Sequence, residues 1–433
     1  MKRLLAEIGQ ALSGMPPWAK AGAALLLMSA LVRGRMKAGC AIFLGALVLA
    51  MASPELRELE PFVNALNLAA TGKSTVRLLA TLLALAWLGE ILWEGAAGRL
   101  LEEGIQDLAG NSRARDLILP AVAGLMPGGR PVAGATGLPE DLRAALSLWF
   151  SKAPALALPL GAGFVVACDL GHLSLGQAAA LLAPLALAMG AVGLLTLARD
   201  LPEPAGGEAS AAPARGEAFR KLAFALCPIL LALAGAFGLA QTSVPVVRAS
   251  DSLHRIGEGV WGLMPPLAIG CLMGGILAGR LLGLSVGTLW RAMKRVSTSD
   301  LVVFAVGIKF LEQAASGVFG SDLARSLPTG GGGLASMAAL ALPALLAFGM
   351  GGAAEGLACT LPFLLPWMGA PADPRLLMLS LAGASLGGML ARRPLEEWLE
   401  KGGTRTTVGE LRWRLALPAA LTALLAALLH IAG

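Results

Sequence analysis

The chain is 433 residues long, 56% AVILMFWYC and only 14% charged, with a formal net charge of +6. Soluble domains carry about 25% charged residues, so a soluble fold is excluded: it could not hide this much apolar surface. The basic residues stand in short clusters between apolar runs rather than on one polar face, which argues against a nucleic-acid partner and for a polytopic chain whose solvent is the lipid bilayer.

The first residues, MKRLLAEIGQ, are cationic like a secretory signal, but polar residues and a Pro pair separate them from the first apolar run, and they read as retained. Stretches free of ionisable groups then run over Ala21–Val32, Ala38–Pro54, a run ending at Glu90, Ala153–Cys168 and Leu173–Ala198. Arg199–Lys221, rich in Pro, Gly, Ala and charge, has linker composition. Beyond it lie Leu222–Val247, Gly259–Gly279, Leu301–Ile308, Leu376–Ala391 and Leu415–Gly433. The predicted fold is all-α, a polytopic membrane protein of about ten transmembrane helices. The halves are residues 1–198 and 222–433, joined by a cytoplasmic linker at 199–221.

Two apolar segments do not read as simple spans. Leu117–Pro139 carries four prolines and a Pro127-Gly128-Gly129 interruption, and the segment at about 334–366 carries Gly349-Met350-Gly351-Gly352. Breaks of this kind are tolerated at membrane depth only where the freed backbone groups are buried in protein or line a watery cavity, so both are predicted to be re-entrant hairpins. They match each other at an offset of 223 residues: Leu119 with Leu342, Pro120 with Pro343, Gly128 and Gly129 with Gly351 and Gly352, Leu138 and Pro139 with Leu361 and Pro362. Interrupted segments at corresponding positions of two halves point to a secondary transporter's midplane site.

Each half is read as three spans, a short amphipathic helix, a hairpin and two more spans. Five crossings is an odd number, so the second repeat is inverted. On this assignment 22 of the 34 basic residues fall on one side and 10 on the other, with Arg130 and Lys309 intramembrane. The richer side, which includes Arg33, Arg35, Arg392, Arg393 and Arg412, is cytoplasmic by the positive-inside rule. Both termini then face outward from the inner membrane, the first hairpin enters from the cytoplasm and the second from outside.

Ionisable groups inside spans are functional candidates because each costs roughly 2.5 to 3.5 kcal/mol at a helix centre. Arg130, beside the first break, can hold an anionic group with the free backbone amides, or pair with Glu90 or Glu355. Glu355, beside the second break, can carry a proton or, with Thr360, help coordinate Na⁺ as a coupling ion. Lys309 and Glu312 stand i and i+3 and are expected to pair. The substrate-binding set is therefore Pro127, Gly128, Gly129, Arg130, Thr136, Gly351, Gly352, Glu355, Thr360 and Ser385, with Ser151 and Lys152 as weaker candidates at the start of the fourth span.

No other cofactor is implied. The segment Thr71–Thr75, TGKST, lacks the earlier glycine of a phosphate-binding loop, having Asn67 in that place. Five cysteines show no metal-ligand spacing, three histidines are isolated, and no nucleophile, base and orienting partner cluster, so the chain does not read as an enzyme.

LWEGAAGRLLEEG, LILPAVAGLMPGG and LWFSKAPALALPLGAG, in that order between Leu92 and Gly163, resemble the integral-membrane family called domain of unknown function 401, of the ion transporter superfamily. The resemblance implies a permease related to those for gluconate, citrate and dicarboxylates. It further implies paired inverted repeats, two hairpin tips meeting at the site, a homodimeric scaffold and elevator-like movement. Pro127, Gly128 and Gly129 match the hairpin-tip motif; Trp149 and Phe150 match the aromatic start of the next, broken span. Arg130, Pro131 and the run SKAPALALP depart from the family's pattern, marking a divergent member. The expected function is secondary transport of a small organic anion driven by Na⁺ or H⁺; the alternative is a non-transporting membrane assembly or accessory protein.

Overall fold

A computed structural model describes residues 14–53, 55–56, 58–109, 113–127, 138–201, 215–242, 265–326, 332–368, 373–402 and 405–432. Among them all regular structure is helical. The first half supplies α1 (Pro17–Arg33), α2 (Ala38–Ala52), α3 (Leu59–Thr71), α4 (Lys73–Glu94), α5 (Ala97–Ala109), α6 (Arg113–Ala123), α7 (Glu140–Ala157), α8 (Ala162–Gly171) and α9 (Leu175–Thr196). The second supplies α10 (Arg215–Thr242), α11 (Pro266–Leu281), α12 (Val286–Arg295), α13 (Thr298–Ser326), α14 (Gly332–Met350), α15 (Ala353–Met368), α16 (Pro374–Leu390), α17 (Arg392–Gly402) and α18 (Val408–Ala432).

Among the described residues six helical segments are long and apolar enough to cross a membrane: α3–α4, α7–α8, α9, α10, α13 and α18. A seventh is α16–α17 if that pair, bent by 55°, is one span, and α2, α11, α14 and α15 are shorter apolar helices. The chain is a multi-pass membrane protein. Span boundaries differ from the sequence reading at three places where a charge was taken as an end. The fourth span begins at Glu140 and not at Ala153, the eighth continues past Ile308, and helix α10 begins at Arg215, inside the expected linker. Only Lys309, in the eighth span, is buried among protein groups; Glu140, Lys152 and Arg215 are exposed. In the second half the amphipathic helix α12 comes before the third span, where α3 stands in the first half, and not after it.

Local chemistry explains the breaks. Leu158 is extended (φ −104°, ψ 140°) because Pro159 follows it, which disfavours helical backbone, and the chain resumes as α8 after Gly161. Ala391 is likewise extended, and Pro394 stands in the first turn of α17, the one part of a helix that tolerates it. Helix α9 opens on a reciprocal capping box between Ser174 and Gln177.

Close packing of small residues joins the halves. Helix α2 lies on α13 through Gly39 and Gly307, and Ser53 Oγ donates to Gly317 O at 3.0 Å. Helices α14 and α16 are closer still: a Cβ at Gly383 or Gly387 would overlap the carbonyl of Leu340 or Ala344. Membrane helices associate this way because lipid offers no hydrophobic drive and backbone approach must supply the contact.

Helix α18 orients the rest. Near its start Arg414 pairs with Asp141 at the beginning of α7 and with Asp200 at 3.2 Å. Near its other end His430 Nε2 lies 2.7 Å from Ser336 Oγ at the beginning of α14. Sixteen residues of helix set Arg414 and His430 about 24 Å apart. So α7 starts at one end of the molecule and α14 starts at the other.

Candidate functional site

Helices α14 and α15 form a hairpin. Gly351, with φ +93°, reverses the chain in a backbone region that L side chains rarely adopt, and Ala347 and Gly356 face each other across the turn. The turn reaches the end of the molecule opposite to its base. Gly351 lies against Arg393 and Pro394, and the Arg412 guanidinium sits 5.0 Å over the Phe348 ring. Gly352 presses on Gly388 of α16, and Ala353 meets Gly163 of α8.

Where these parts converge they enclose a cavity of about 330 Å³. Its wall takes Leu148, Lys152 and Leu156 from α7, Gly161 to Phe164 from the α7–α8 break, Gly351 to Glu355 from the hairpin tip, Ser385 and Gly388 from α16, and Pro394 and Trp398 from α17. Three helix breaks therefore share one hollow. The wall is apolar apart from Lys152, Glu355, Ser385 and the exposed backbone.

The two carried charges differ in state. Glu355 is at the third position of α15 and accepts from its own backbone N–H; its carboxylate fills the space beside Gly352. It thereby satisfies one of the free N–H groups in the first turn of α15. Lys152 is exposed to the cavity, and the N-terminus of α8 close by has Gly161 as its cap residue and no capping side chain. A helix start without a cap, beside an ammonium, is a ready seat for a carboxylate.

Other expected residues are placed as follows. Gly351, Gly352, Glu355 and Ser385 come together on the cavity wall. Thr360 is fully buried away from it, its hydroxyl donating to Gly356 O at 2.8 Å. Pro127 ends a turn after α6 and lies on Gly89 of α4; a Cβ at Gly89 would stand 2.8 Å from the Pro127 carbonyl oxygen. In the same turn Gly124 packs on the backbone of Ser151 in α7, one residue before Lys152. The chain thus reaches the depth of Ser151 and is back at the start of α7 by Leu138. Gly128, Gly129, Arg130 and Thr136 lie outside the described residues. Trp149 and Phe150 are buried in mid-α7, where the Trp149 indole donates to Met189 O of α9 at 2.9 Å.

Lys309 and Glu312 pair as the spacing predicts, at 3.0 Å, but the ammonium also lies 2.7 Å from Asp169 Oδ2 on α8. This cluster is apart from the cavity. Sequence reasoning ranked Lys152 low and missed Asp169. Lys152 stands just before an apolar run and Asp169 just after one, so each resembles a span end, and only the packing of distant helices reveals them as internal.

No family model matches the chain, and no curated protein matches it in sequence. Its all-helical fold resembles that of a membrane transporter of known structure. The structure is similar to that of the Alcanivorax borkumensis YdaH transporter, described as having an unusual topology, with a TM-score of 0.50 over 93% of this chain and 97% of that one. Sequence identity between them is 16%.

Proposed function

We propose that the protein is a secondary active transporter of a small organic anion, and that the anion binds in the cavity at the hairpin tip, between the Lys152 ammonium and the start of α8. The observation that carries the reading is the convergence of three helix breaks on one hollow whose single cationic wall residue, among those described, is Lys152. Such breaks expose backbone N–H groups and carbonyls that a substrate and a coupling ion can use. Glu355 supplies a carboxylate for H⁺ or Na⁺ coupling. Movement of the hairpin with α8 and α16 as one elevator-like body, within a homodimer in the inner membrane with both termini outward, completes the proposal, as does membership of the domain of unknown function 401 family.

Uptake of labelled carboxylates and sugar acids into proteoliposomes, with Na⁺ and pH gradients imposed separately, tests it. Gradient-driven accumulation by the wild type and its loss in Lys152→Gln is the expected result. Absence of accumulation and of any ligand-induced thermal shift across the panel overturns it.

A further inference from the structure

A second and larger hollow, about 740 Å³, lies on the far side of the hairpin tip. Arg33 and Arg35 at the end of α1, Arg392 and Arg393 at the start of α17, and Arg412 of α18 line it, with Glu396 as the one acidic residue on its wall. Some of this charge is spent locally. Arg392 pairs with Glu396 at 2.6 Å and Arg393 with Glu397 at 3.3 Å, while Arg412 Nε donates to Leu390 O at 2.8 Å. The side chains of Arg33 and Arg35 have no hydrogen bond or ion pair among the described residues. Five guanidiniums against two carboxylates leave positive charge in excess around one hollow, so an anion placed there would meet several of them at once.

The backbone adds a second observation. Helix α1 closes with Met36 N–H donating to Leu31 O at 3.1 Å and Arg35 N–H donating to Val32 O at 2.9 Å. That pattern puts Arg35 at the left-handed position, with φ +68°, where glycine is the favoured residue. Gly34 stands one residue too early to serve. The chain thus holds an arginine in a costly conformation at the point where its side chain lines the cavity, and strain of that kind collects at ligand sites.

We propose that this cavity is an oxyanion site for a phosphate-type group carrying at least two negative charges, present either as a free anion or as a phospholipid headgroup. Guanidinium forks match phosphate oxygens in pairs, and several around one hollow favour a multiply charged ligand over a monoanion. Because Gly351 lines both cavities, an occupant here touches the hairpin tip from behind. The site does not depend on the transport reading, since binding is measured without flux.

The test uses the full chain purified in neutral detergent, titrated with inorganic phosphate by calorimetry and thermal shift. It is then repeated in nanodiscs of phosphatidylcholine with and without phosphatidic acid, whose phosphomonoester headgroup can carry two negative charges. Arg35→Gly is the main variant, because it removes charge while relieving the left-handed strain, so its melting temperature without ligand should equal or exceed the wild type's. Arg33→Gln/Arg35→Gln is the second. Phosphate binding by the wild type that weakens about tenfold in both variants and fades with added NaCl supports a free-anion site. No phosphate response, but phosphatidic acid stabilisation in the wild type that both variants lose, supports the headgroup form. Absence of both responses, or responses unchanged in the variants, overturns the proposal.

Discussion

Lys309 on α13 holds two carboxylates at once, Asp169 of α8 at 2.7 Å and Glu312 of its own helix at 3.0 Å, with its side chain only 6% exposed. The contact with Asp169 ties a span of the first half to a span of the second. Removing the ammonium would leave two carboxylates without their counter-charge, and breaking a buried pair from one side costs about 3 to 5 kcal/mol. Lys309→Met is therefore expected to lower the melting temperature sharply. Glu312→Gln should cost under about 1 kcal/mol, since Glu312 is 30% exposed and Asp169 still neutralises the lysine. Thermal unfolding of both variants in one detergent checks the ranking; equal losses would show that the cluster does not anchor the two halves.

That cluster also marks the limit of what the sequence reveals. The pairing of Lys309 with Glu312 is a local matter of helical spacing and was legible, as were the all-helical fold and the break at Gly351-Gly352, because glycine pairs in apolar runs have few other uses. Asp169 was not legible. Its partner is 140 positions further along the chain, and nothing local distinguishes an aspartate that ends a span from one that meets a lysine on another helix. Lys152 failed for the same reason in mirror image: a charge beside an apolar run reads as a boundary, whereas α7 passes through it for three turns from Glu140. The cavity is made by tertiary convergence of breaks that are each visible alone.

Two glycines make a paired test of the helix contacts. A Cβ at Gly387 would overlap the Ala344 carbonyl, so Gly387→Ala must push α16 from α14, and overpacking of this kind costs about 1 to 3 kcal/mol. Gly22, inside α1, has nothing within 4 Å of its Cβ position, so Gly22→Ala gains helix propensity and should stabilise by up to about 1 kcal/mol. Opposite signs in the shift of melting temperature are expected from the same chemical change. A destabilised Gly22→Ala would mean that α1 packs against a further surface.

Glu355 can be separated into its two roles. As a helix cap it needs an acceptor oxygen near the start of α15, which glutamine also offers; as a coupling group it needs a titratable carboxylate. Glu355→Gln should keep the wild-type melting temperature to within a degree or two, while Glu355→Ala should cost about 1 kcal/mol, the usual value of a lost cap. If Glu355→Gln also removes the dependence of uptake on Na⁺ or pH while substrate still binds, the carboxylate couples. Uptake with an unchanged ion dependence would restrict Glu355 to capping.

The hairpin tip gives the most local prediction. Gly351 has φ +93°, and a Cβ there would meet Pro394 Cδ at an ordinary 3.6 Å, so substitution is opposed by backbone conformation and not by lack of space. Gly351→Ala should cost about 1 to 2 kcal/mol for the left-handed backbone. Since the strain falls on the turn that lines both cavities, ligand affinity should change more than global stability does. A large drop in melting temperature with unaltered anion affinity would show instead that the hairpin is a structural brace, held by its packing on α16 and indifferent to what fills the hollows beside it.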